Sequence, residues 1–142
     1  MTFSIGFPDP AGSLCGSGEA QGLIELGNHQ ESFCASLGYW GIDRYQQQWA
    51  FAIKRLLDNE IASAALVTSM YDPGLANFIM WWPMYREQQK VYVYNQILFL
   101  DQLTSPLNEA DLLAHVEDRA VWLEGEDTPS EWVLGVGDLV GP

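Results

Sequence analysis

Basic residues are scarce in this chain of 142 residues, which has 6 lysines and arginines against 19 aspartates and glutamates and a net charge of -13. Proteins that bind nucleic acid neutralise its phosphates with lysine and arginine, so this shortage argues against DNA or RNA as a partner. The same shortage disfavours binding to an acidic membrane surface. Charge therefore favours a basic protein as the partner.

Long apolar runs are absent as well. No stretch approaches the roughly 18 uncharged residues of a membrane-spanning helix, and the start MTFSIGFPDP lacks the positive charge of a secretory signal. We therefore predict a soluble, cytoplasmic protein with no membrane segment. The two cysteines, Cys15 and Cys34, are too few for a disulfide scaffold or a four-thiolate metal site. In a reducing compartment we predict that both are free thiols.

The chain has no recognisable catalytic motif. The glycine-rich stretch 12–18 lacks the Lys-Ser/Thr pair of a phosphate-binding loop. His115-Val116-Glu117 matches the H-x-E fragment of zinc deaminases, but no P-C-x-x-C completes the metal site. We predict a protein that is not an enzyme and has no catalytic residue, metal site or cofactor. A small hydrolase with a carboxylate pair stays an alternative, because the sequence singles out no pair among its 19 acids.

Apolar residues make up 48% of the chain and aromatic residues 13%, enough to form a core in spite of the charge. The length predicts a single domain over residues 1–142. From Asp43 to about Asp58 the apolar residues recur at spacings of three and four, which predicts an amphipathic helix. Asp43 is a suitable N-cap for this helix.

Several other segments have the alternation, or the content of β-branched and aromatic residues, that is typical of strands. Pro83 cannot donate a hydrogen bond to a sheet, so we expect it at the end of a strand or at a bulge. We predict an α+β fold: a mainly antiparallel sheet of about six strands with one principal amphipathic helix packed on one face. The predicted strands are residues 3–7, a hairpin over 19–37 with its turn at Gly27-Asn28, and 64–70, 76–82, 91–100 and 130–139.

Two local features stay open. Adjacent Trp81 and Trp82 point to opposite faces of a strand, so one of them is exposed if the sheet is covered on one side only. An exposed tryptophan is a candidate binding anchor, and core packing is the alternative for both. Residues 108–118 fit a short helix and an irregular loop about equally well.

Acidic residues are concentrated in the last third of the chain. Residues 101–142 contain ten acids and a single base, Arg119, and so carry -9 of the net charge. Such a surface either keeps a protein dispersed in solution or docks a basic partner, whose encounter it accelerates. For the second role we select five acids as the charged rim of an interface: Glu117, Asp118, Glu124, Glu126 and Asp127.

An ordered set of short segments, mostly aromatic and apolar, occurs between residues 39 and 100 and again near the end of the chain. The segments are Tyr39-Trp40, Tyr45 with Gln48-Trp49, Ala65-Leu-Val-Thr-Ser-Met70 followed by Asp72-Pro73, Phe78-Ile-Met-Trp-Trp-Pro-Met-Tyr85, Asn95-Gln-Ile-Leu-Phe-Leu100 and Ser130-Glu-Trp132. In these segments the chain resembles the immunity proteins of contact-dependent growth inhibition (CDI) systems.

The resemblance implies a small cytoplasmic α+β protein, without catalytic residues, that binds the toxic C-terminal domain of a surface-delivered effector from sibling cells and blocks it. Several toxins of such systems are nucleases, and a basic nuclease cleft matches the acidity of this chain. We therefore predict that the chain neutralises a cognate nuclease toxin by steric and electrostatic blocking. A chaperone-like protein that binds a basic export substrate without inhibiting it is the second alternative.

Overall fold

The computed structural model describes residues 2–8, 15–124 and 130–140. In these ranges the chain forms eight strands, arranged in two antiparallel sheets, and one long helix. The predicted α+β fold with one principal helix is confirmed. Two details differ from the prediction of about six strands in one sheet. The first three strands form a sheet of their own, and the predicted strand 91–100 is divided in two, so the strands number eight.

The first sheet is antiparallel and consists, in spatial order, of β1 (Phe3–Gly6), β2 (Glu19–Leu26) and β3 (His29–Ser36). Strands β2 and β3 form the predicted hairpin. Gly27 in its two-residue turn has a φ of +67°, which glycine adopts without strain. Gly22 lies opposite Phe33, and a Cβ atom at Gly22 would be 2.1 Å from the Cζ atom of that ring. A side chain at position 22 would therefore displace the Phe33 ring, and the backbone at position 27 favours glycine.

The register of this hairpin corrects the prediction of two free thiols, because Cys15 and Cys34 form a disulfide. Glu19 at the start of β2 pairs with Ser36 at the end of β3, so the chain just before β2 runs beside β3. The Cα atoms of the two cysteines are 5.7 Å apart, within the range that a disulfide spans. Our prediction rested on the expected compartment and on the number of cysteines. Neither of these indicates how close the two cysteines lie in the fold.

Helix α1 (Ile42–Asp58) confirms the predicted amphipathic helix. The predicted N-cap is wrong, since the helix begins at Ile42 with Gly41 as its N-cap. The Gly41 carbonyl already accepts a hydrogen bond from the backbone N–H of Tyr45 at 3.3 Å. Asp43 lies in the first turn instead, where its negative charge interacts favourably with the helix dipole. The buried stripe of the helix consists of Tyr45, Trp49, Ala52 and Leu56.

The second sheet is also antiparallel and has five strands: β4 (Ile61–Ser69), β5 (Phe78–Glu87), β6 (Lys90–Val93), β7 (Gln96–Phe99) and β8 (Trp132–Gly135). Strand β5 lies in its interior, with β4 on one side and both β6 and β7 on the other. Strand β8 pairs with β6. Only the first part of the predicted closing strand 130–139 is extended, because the chain then forms a 3-10 helix at Val136–Leu139.

Pro83 lies within β5 and not at a strand end or a bulge, which corrects our prediction. Its carbonyl accepts a hydrogen bond from the backbone N–H of Tyr94 at 2.9 Å. In an antiparallel pair Pro83 would return a second bond, but proline has no N–H to donate. The missing bond interrupts the facing strand, so β6 ends at Val93 and β7 begins at Gln96 although both keep one register on β5.

Helix α1 packs along β4, and no strand of the described residues pairs with the outer edge of β4. The side-chain amide of Gln48 satisfies this edge: its Nε2 donates to the Ala65 carbonyl at 2.8 Å and its Oε1 accepts from the Val67 N–H at 2.9 Å. The indole Nε1 of Trp49 donates to the Val67 carbonyl at 2.6 Å. The helix thus covers a sheet edge whose backbone groups would otherwise be unpaired.

Strand β3 crosses the second sheet and connects the two sheets. At its start the imidazole of His29 stacks on Trp132 of β8, with ring centres 4.7 Å apart. At its end the backbone N–H of Ser36 donates to the hydroxyl of Ser69, the last residue of β4, at 3.1 Å. A groove stays open between β3 and the second sheet.

Residues 100–124 contain no strand. They form 3-10 helices at Leu100–Gln102 and Glu109–His115 and a single helical turn, α2 (Ala120–Leu123). Residues 108–118, for which a short helix and an irregular loop were both open, form two short 3-10 pieces separated by a kink at Asp111 (φ -145°, ψ 63°), with Leu112 and Leu113 buried. No helix in the described part of the chain is long and apolar enough to cross a membrane.

Candidate partner-binding surface

Arg119, the single base in the last third of the chain, holds residues 116–124 against the second sheet. We call residues 116–124 the acidic segment. The guanidinium of Arg119 contacts Glu87 of β5 at 3.1 Å and Glu131 at 3.5 Å, and it lies 3.6 Å from the ring centre of Tyr92. Burial alone would lower the pKa of Arg119, but hydrogen bonds to a tyrosine hydroxyl and to Glu87 raise it. The guanidinium therefore stays charged.

Three aromatic side chains anchor the acidic segment. Trp122 stacks on Tyr94 with ring centres 4.6 Å apart, and its Nε1 donates to the Tyr85 hydroxyl at 3.0 Å. The Tyr85 hydroxyl donates to the backbone carbonyl of Glu117 at 2.6 Å, and the Tyr94 hydroxyl donates to the Glu131 carboxylate. Burial raises the pKa of Tyr85 to about 12 and also raises that of Tyr94. Both phenols stay protonated at neutral pH and keep these hydrogen bonds.

The predicted rim acids lie partly within this arrangement. Glu117 and Asp118 are exposed and line one groove of about 500 Å³ between the acidic segment and the second sheet, which we call the acidic-segment groove. Glu124 is exposed but does not line this groove. Glu126 and Asp127 lie outside the described residues. The structure brings Glu117 and Asp118 together, and an interface formed by all five acids stays a prediction.

Three arginines line the acidic-segment groove, and each of them contacts the protein itself. Arg86 is buried, and its Nη1 donates to the last carbonyls of α1 at 2.7 and 3.1 Å. The Nε of Arg55 donates to a β4 carbonyl at 2.9 Å, and Arg119 is paired with its two glutamates. By contrast, the Glu117 carboxylate accepts no hydrogen bond and forms no ion pair within the described residues. It is available to a basic partner.

The groove between β3 and the second sheet has a volume of about 510 Å³, and we call it the inter-sheet groove. Its lining is mostly apolar. It comes from β3, from the start of β2 with Cys15 before it, from β5, and from Thr68, Tyr71 and Asn95. Two carboxylates and the Cys15–Cys34 disulfide lie at its rim. The floor contains Phe33, Tyr71, Met80 and Trp82, and the carboxylates are those of Glu19 and Glu31.

Neither member of the adjacent tryptophan pair is exposed, so the predicted exposed anchor is wrong. Trp81 is fully buried, and its Nε1 donates to the Gln96 side chain at 2.8 Å. Trp82 is 2% exposed and packs against Trp132, with ring centres 5.3 Å apart. The prediction assumed one covered face, whereas both faces of the second sheet are covered where β5 carries this pair.

A third groove, of about 250 Å³, separates α1 from the 3-10 helix Glu109–His115, and we call it the α1 groove. Phe51 of α1 is 61% exposed at this groove. Arg44 lies over the ring of Trp40, 5.1 Å from its centre, and lines the groove together with Glu109 and Asp111. Charges of both signs therefore line this site.

The histidines have structural contacts. His29, besides stacking on Trp132, lies 3.3 Å from the Glu31 carboxylate. The Nε2 of His115 accepts a hydrogen bond from the backbone N–H of Asn108 at 2.9 Å. Among the residues that the structure describes, no group of three or more histidines, cysteines and acids could hold a metal ion.

Our sequence reasoning did not identify the role of Arg119. A signal was present, since Arg119 is the single base among ten acids in residues 101–142 and such a base is expected to pair with several of them. The inter-sheet groove had no comparable signal. Its lining comes from segments that are far apart in the sequence, around residues 31–34, 68–71 and 80–82.

The fold and the surface define a small, acidic α+β protein that presents carboxylates beside open grooves. The chain belongs to the CdiI N-terminal domain family, whose model matches residues 35–140. The resemblance to CDI immunity proteins that the sequence segments indicated is thereby confirmed.

This chain is similar to a curated protein and to a chain of a solved complex. The immunity protein CdiI of Enterobacter cloacae subsp. cloacae is 38% identical over 79 residues, which are 56% of this chain and 54% of that protein. The chain thus aligns with about half the length of this relative. A chain in a solved CdiA-CT/CdiI toxin and immunity complex from Enterobacter cloacae is 28% identical, with a TM-score of 0.83. That match covers 98% of this chain and 94% of the other.

Proposed function

We propose that this chain is a CDI immunity protein, which binds the C-terminal toxin domain of its cognate effector and blocks the toxin without catalysing a reaction. The observation that carries the proposal is the similarity, over nearly the full length of both, to a chain from a toxin and immunity complex. Membership of the CdiI N-terminal domain family supports it as well.

The partner in this proposal is a basic toxin domain, and specifically a nuclease. A nuclease cleft attracts the phosphates of its substrate through positive charge. A chain with a net charge of -13 is attracted to the same positively charged surface and competes with the nucleic acid for it. The charged rim consists of Glu117, Asp118, Glu124, Glu126 and Asp127, which lie in or beside the cleft and exclude its nucleic-acid substrate. The chain itself binds neither nucleic acid nor a membrane, and it needs no cofactor.

We also propose that residues 1–142 act as one domain in the cytoplasm, where the chain meets an incoming toxin. The Cys15–Cys34 disulfide is unusual for that compartment, which keeps most protein thiols reduced.

The test compares two triple variants of equal charge in binding the toxin domain that is encoded next to this chain. The first neutralises the rim with Glu117→Gln, Asp118→Asn and Glu124→Gln, and Asn at position 118 keeps the oxygen that accepts the Ala120 N–H. The control neutralises three exposed acids elsewhere: Asp43→Asn, Glu60→Gln and Asp101→Asn.

We expect the rim variant to associate with the toxin about tenfold more slowly at low salt, and the control variant to lose much less. Cells that express the toxin should survive with the unaltered chain. Equal losses in the two variants would show that overall charge, and not this rim, governs association. Tight binding without survival of the cells would favour a chaperone-like role over immunity.

A further inference from the structure

We infer that the inter-sheet groove is the anchor site for the toxin: it accepts an extended segment in which a lysine or arginine stands beside a bulky apolar side chain. This inference rests on the proposed immunity function and adds a location to it. The acidic segment then governs the rate of encounter, whereas the inter-sheet groove governs how long the complex persists.

The floor of the inter-sheet groove is suited to an apolar anchor. Phe33, Tyr71 and Met80 are half-buried, so each keeps part of its surface open to solvent, and Trp82 lies among them. A partner side chain in such a pocket gains by removing apolar surface from water on both molecules. Anchors of this kind contribute most of the binding energy in protein interfaces.

The rim of the groove is suited to a basic group. Glu31 is held in place because its Oε1 lies 3.3 Å from His29 Nε2 and its Oε2 accepts from the Asn95 side chain at 3.3 Å. Glu19 accepts a hydrogen bond from the Gly16 N–H at 2.9 Å. These contacts restrict both carboxylates before a partner arrives, which lowers the entropic cost of forming an ion pair.

The three grooves differ in the charges that line them. The acidic-segment groove contains three arginines, and the α1 groove contains Arg44. Among the residues that the structure describes, the inter-sheet groove is lined by two acids and by no lysine, arginine or histidine. A further groove at β1 and β2 also carries negative charge alone, from Glu25, but its volume is only about 250 Å³. The inter-sheet groove is therefore the larger of the two that combine apolar lining with charge complementary to a basic partner.

The two walls of the inter-sheet groove also have different origins in the sequence. Residues 31–34 of β3 lie before residue 35, where the match to the CdiI family model begins, whereas the β4 and β5 residues of the floor lie within it. The site thus joins a family scaffold to a strand outside the matched range. In such a site the floor can bind an apolar side chain of any toxin of the family, while the residues of the rim determine which toxin is bound.

The test blocks the groove with a bulky side chain and uses a control on the same strand. Ser32 is exposed and lines the groove, whereas Gln30 is exposed, lies two residues earlier on the same face of β3 and does not line it. We compare Ser32→Trp with Gln30→Trp in the full chain, measuring the kinetics of binding to the toxin domain encoded next to it. Thermal unfolding of both variants checks the fold.

We expect Ser32→Trp to raise the Kd by at least about tenfold, mainly through faster dissociation, and Gln30→Trp to change it by less than about twofold. Unchanged binding in both variants, or equal weakening of both, would overturn the inference. Failure of the unaltered chain to bind the toxin would overturn the proposed function itself, so the two failures are distinguishable.

A second variant decides the matter if Ser32→Trp lowers the melting temperature. Glu31→Lys replaces a rim carboxylate with a positive charge, which repels a basic segment. Glu25→Lys makes the same charge change on β2, outside this groove. We expect weaker toxin binding for Glu31→Lys than for Glu25→Lys, by about tenfold. Equal binding by these two variants would overturn the inference.

Discussion

Helix α1 and the acidic segment (residues 116–124) both pack against the second sheet, but different interactions hold them. The helix buries a continuous apolar stripe, and its polar side chains bond to the backbone of β4. The acidic segment has no fully buried side chain, and two side chains, Arg119 and Trp122, make its main contacts. The helix is therefore part of the core, whereas the segment is attached to its surface.

This difference separates stability from recognition. Substitutions in the α1 stripe disturb many neighbours at once, because buried side chains are closely packed. Most positions of the acidic segment face solvent, so their identity can change without disturbing the core. A surface built in this way can be matched to different partners while the fold stays the same.

The largest effect that we expect comes from the helix side of this comparison. Trp49→Ala removes a buried indole and its hydrogen bond to the Val67 carbonyl, and it leaves a cavity between α1 and β4. The free energy of unfolding should fall by about 3–5 kcal/mol. Urea denaturation measures the change.

Phe51→Ala on the same helix is the matched control, because Phe51 is 61% exposed. Its free energy of unfolding should change by less than about 0.5 kcal/mol. Equal stability of the Trp49→Ala variant and the unaltered chain would mean that α1 does not pack through this face.

Alkaline pH tests both regions through one buried tyrosine in each. Burial raises the pKa of Tyr45, in the buried stripe of α1, and of Tyr85, next to the acidic segment, from 10.0 to about 12. Both phenols favour the folded state in their neutral form, so this stability is complete below pH 10 and is lost as the pH rises toward 12. Each contributes roughly 2 kcal/mol.

We expect Tyr85 to ionise before Tyr45 in a titration followed by ultraviolet absorbance, because the acidic segment opens more easily than the core. The pKa values of Tyr39 and Tyr94 are raised as well, so late steps are assigned by substitution. The step that Tyr85→Phe removes should lie at lower pH than the step that Tyr45→Phe removes. Titration of all six tyrosines near pH 10 with the fold intact would contradict the burial of both.

The smallest effect on stability should come from removing Arg119, which holds the acidic segment against the second sheet. Arg119→Ala removes ion pairs that are partly exposed and a contact with Tyr92, so the global stability should fall by only about 1 kcal/mol. Amide hydrogen exchange should accelerate at residues 117–123 while α1 stays protected. Arg44→Ala is the control, because it also removes a contact between an arginine and an aromatic ring, that of Trp40. It should leave hydrogen exchange at residues 117–123 unchanged. Faster exchange throughout the chain would show that Arg119 supports the core.

Much of the fold could be predicted because its signals are local. The spacing of apolar residues in α1 gives the buried face directly, and a hairpin turn at Gly27 needs only two flanking strands. Pro83 shows the limit of this reasoning. The sequence indicates that Pro83 cannot donate a hydrogen bond, but the sheet pairing decides which strand is interrupted, and here it is the facing strand.

The candidate site was less accessible to sequence reasoning than the fold. The concentration of acids was visible, and Glu117 and Asp118 do lie at one groove. The position of that groove depends on Arg119, which reaches glutamates on both sides of β6 in the sheet. No local pattern contains that information.

The sequence by itself determined the charge of this protein, its main helix, its hairpin and its resemblance to a family, because each of these depends on neighbouring residues or on composition. The tertiary structure alone decided that Cys15 meets Cys34, that Trp81 and Trp82 are both buried, and that a groove with an acidic rim lies between the sheets. These outcomes depend on the register of paired strands and on which faces two sheets cover. Both are set by contacts between residues that are distant in the chain.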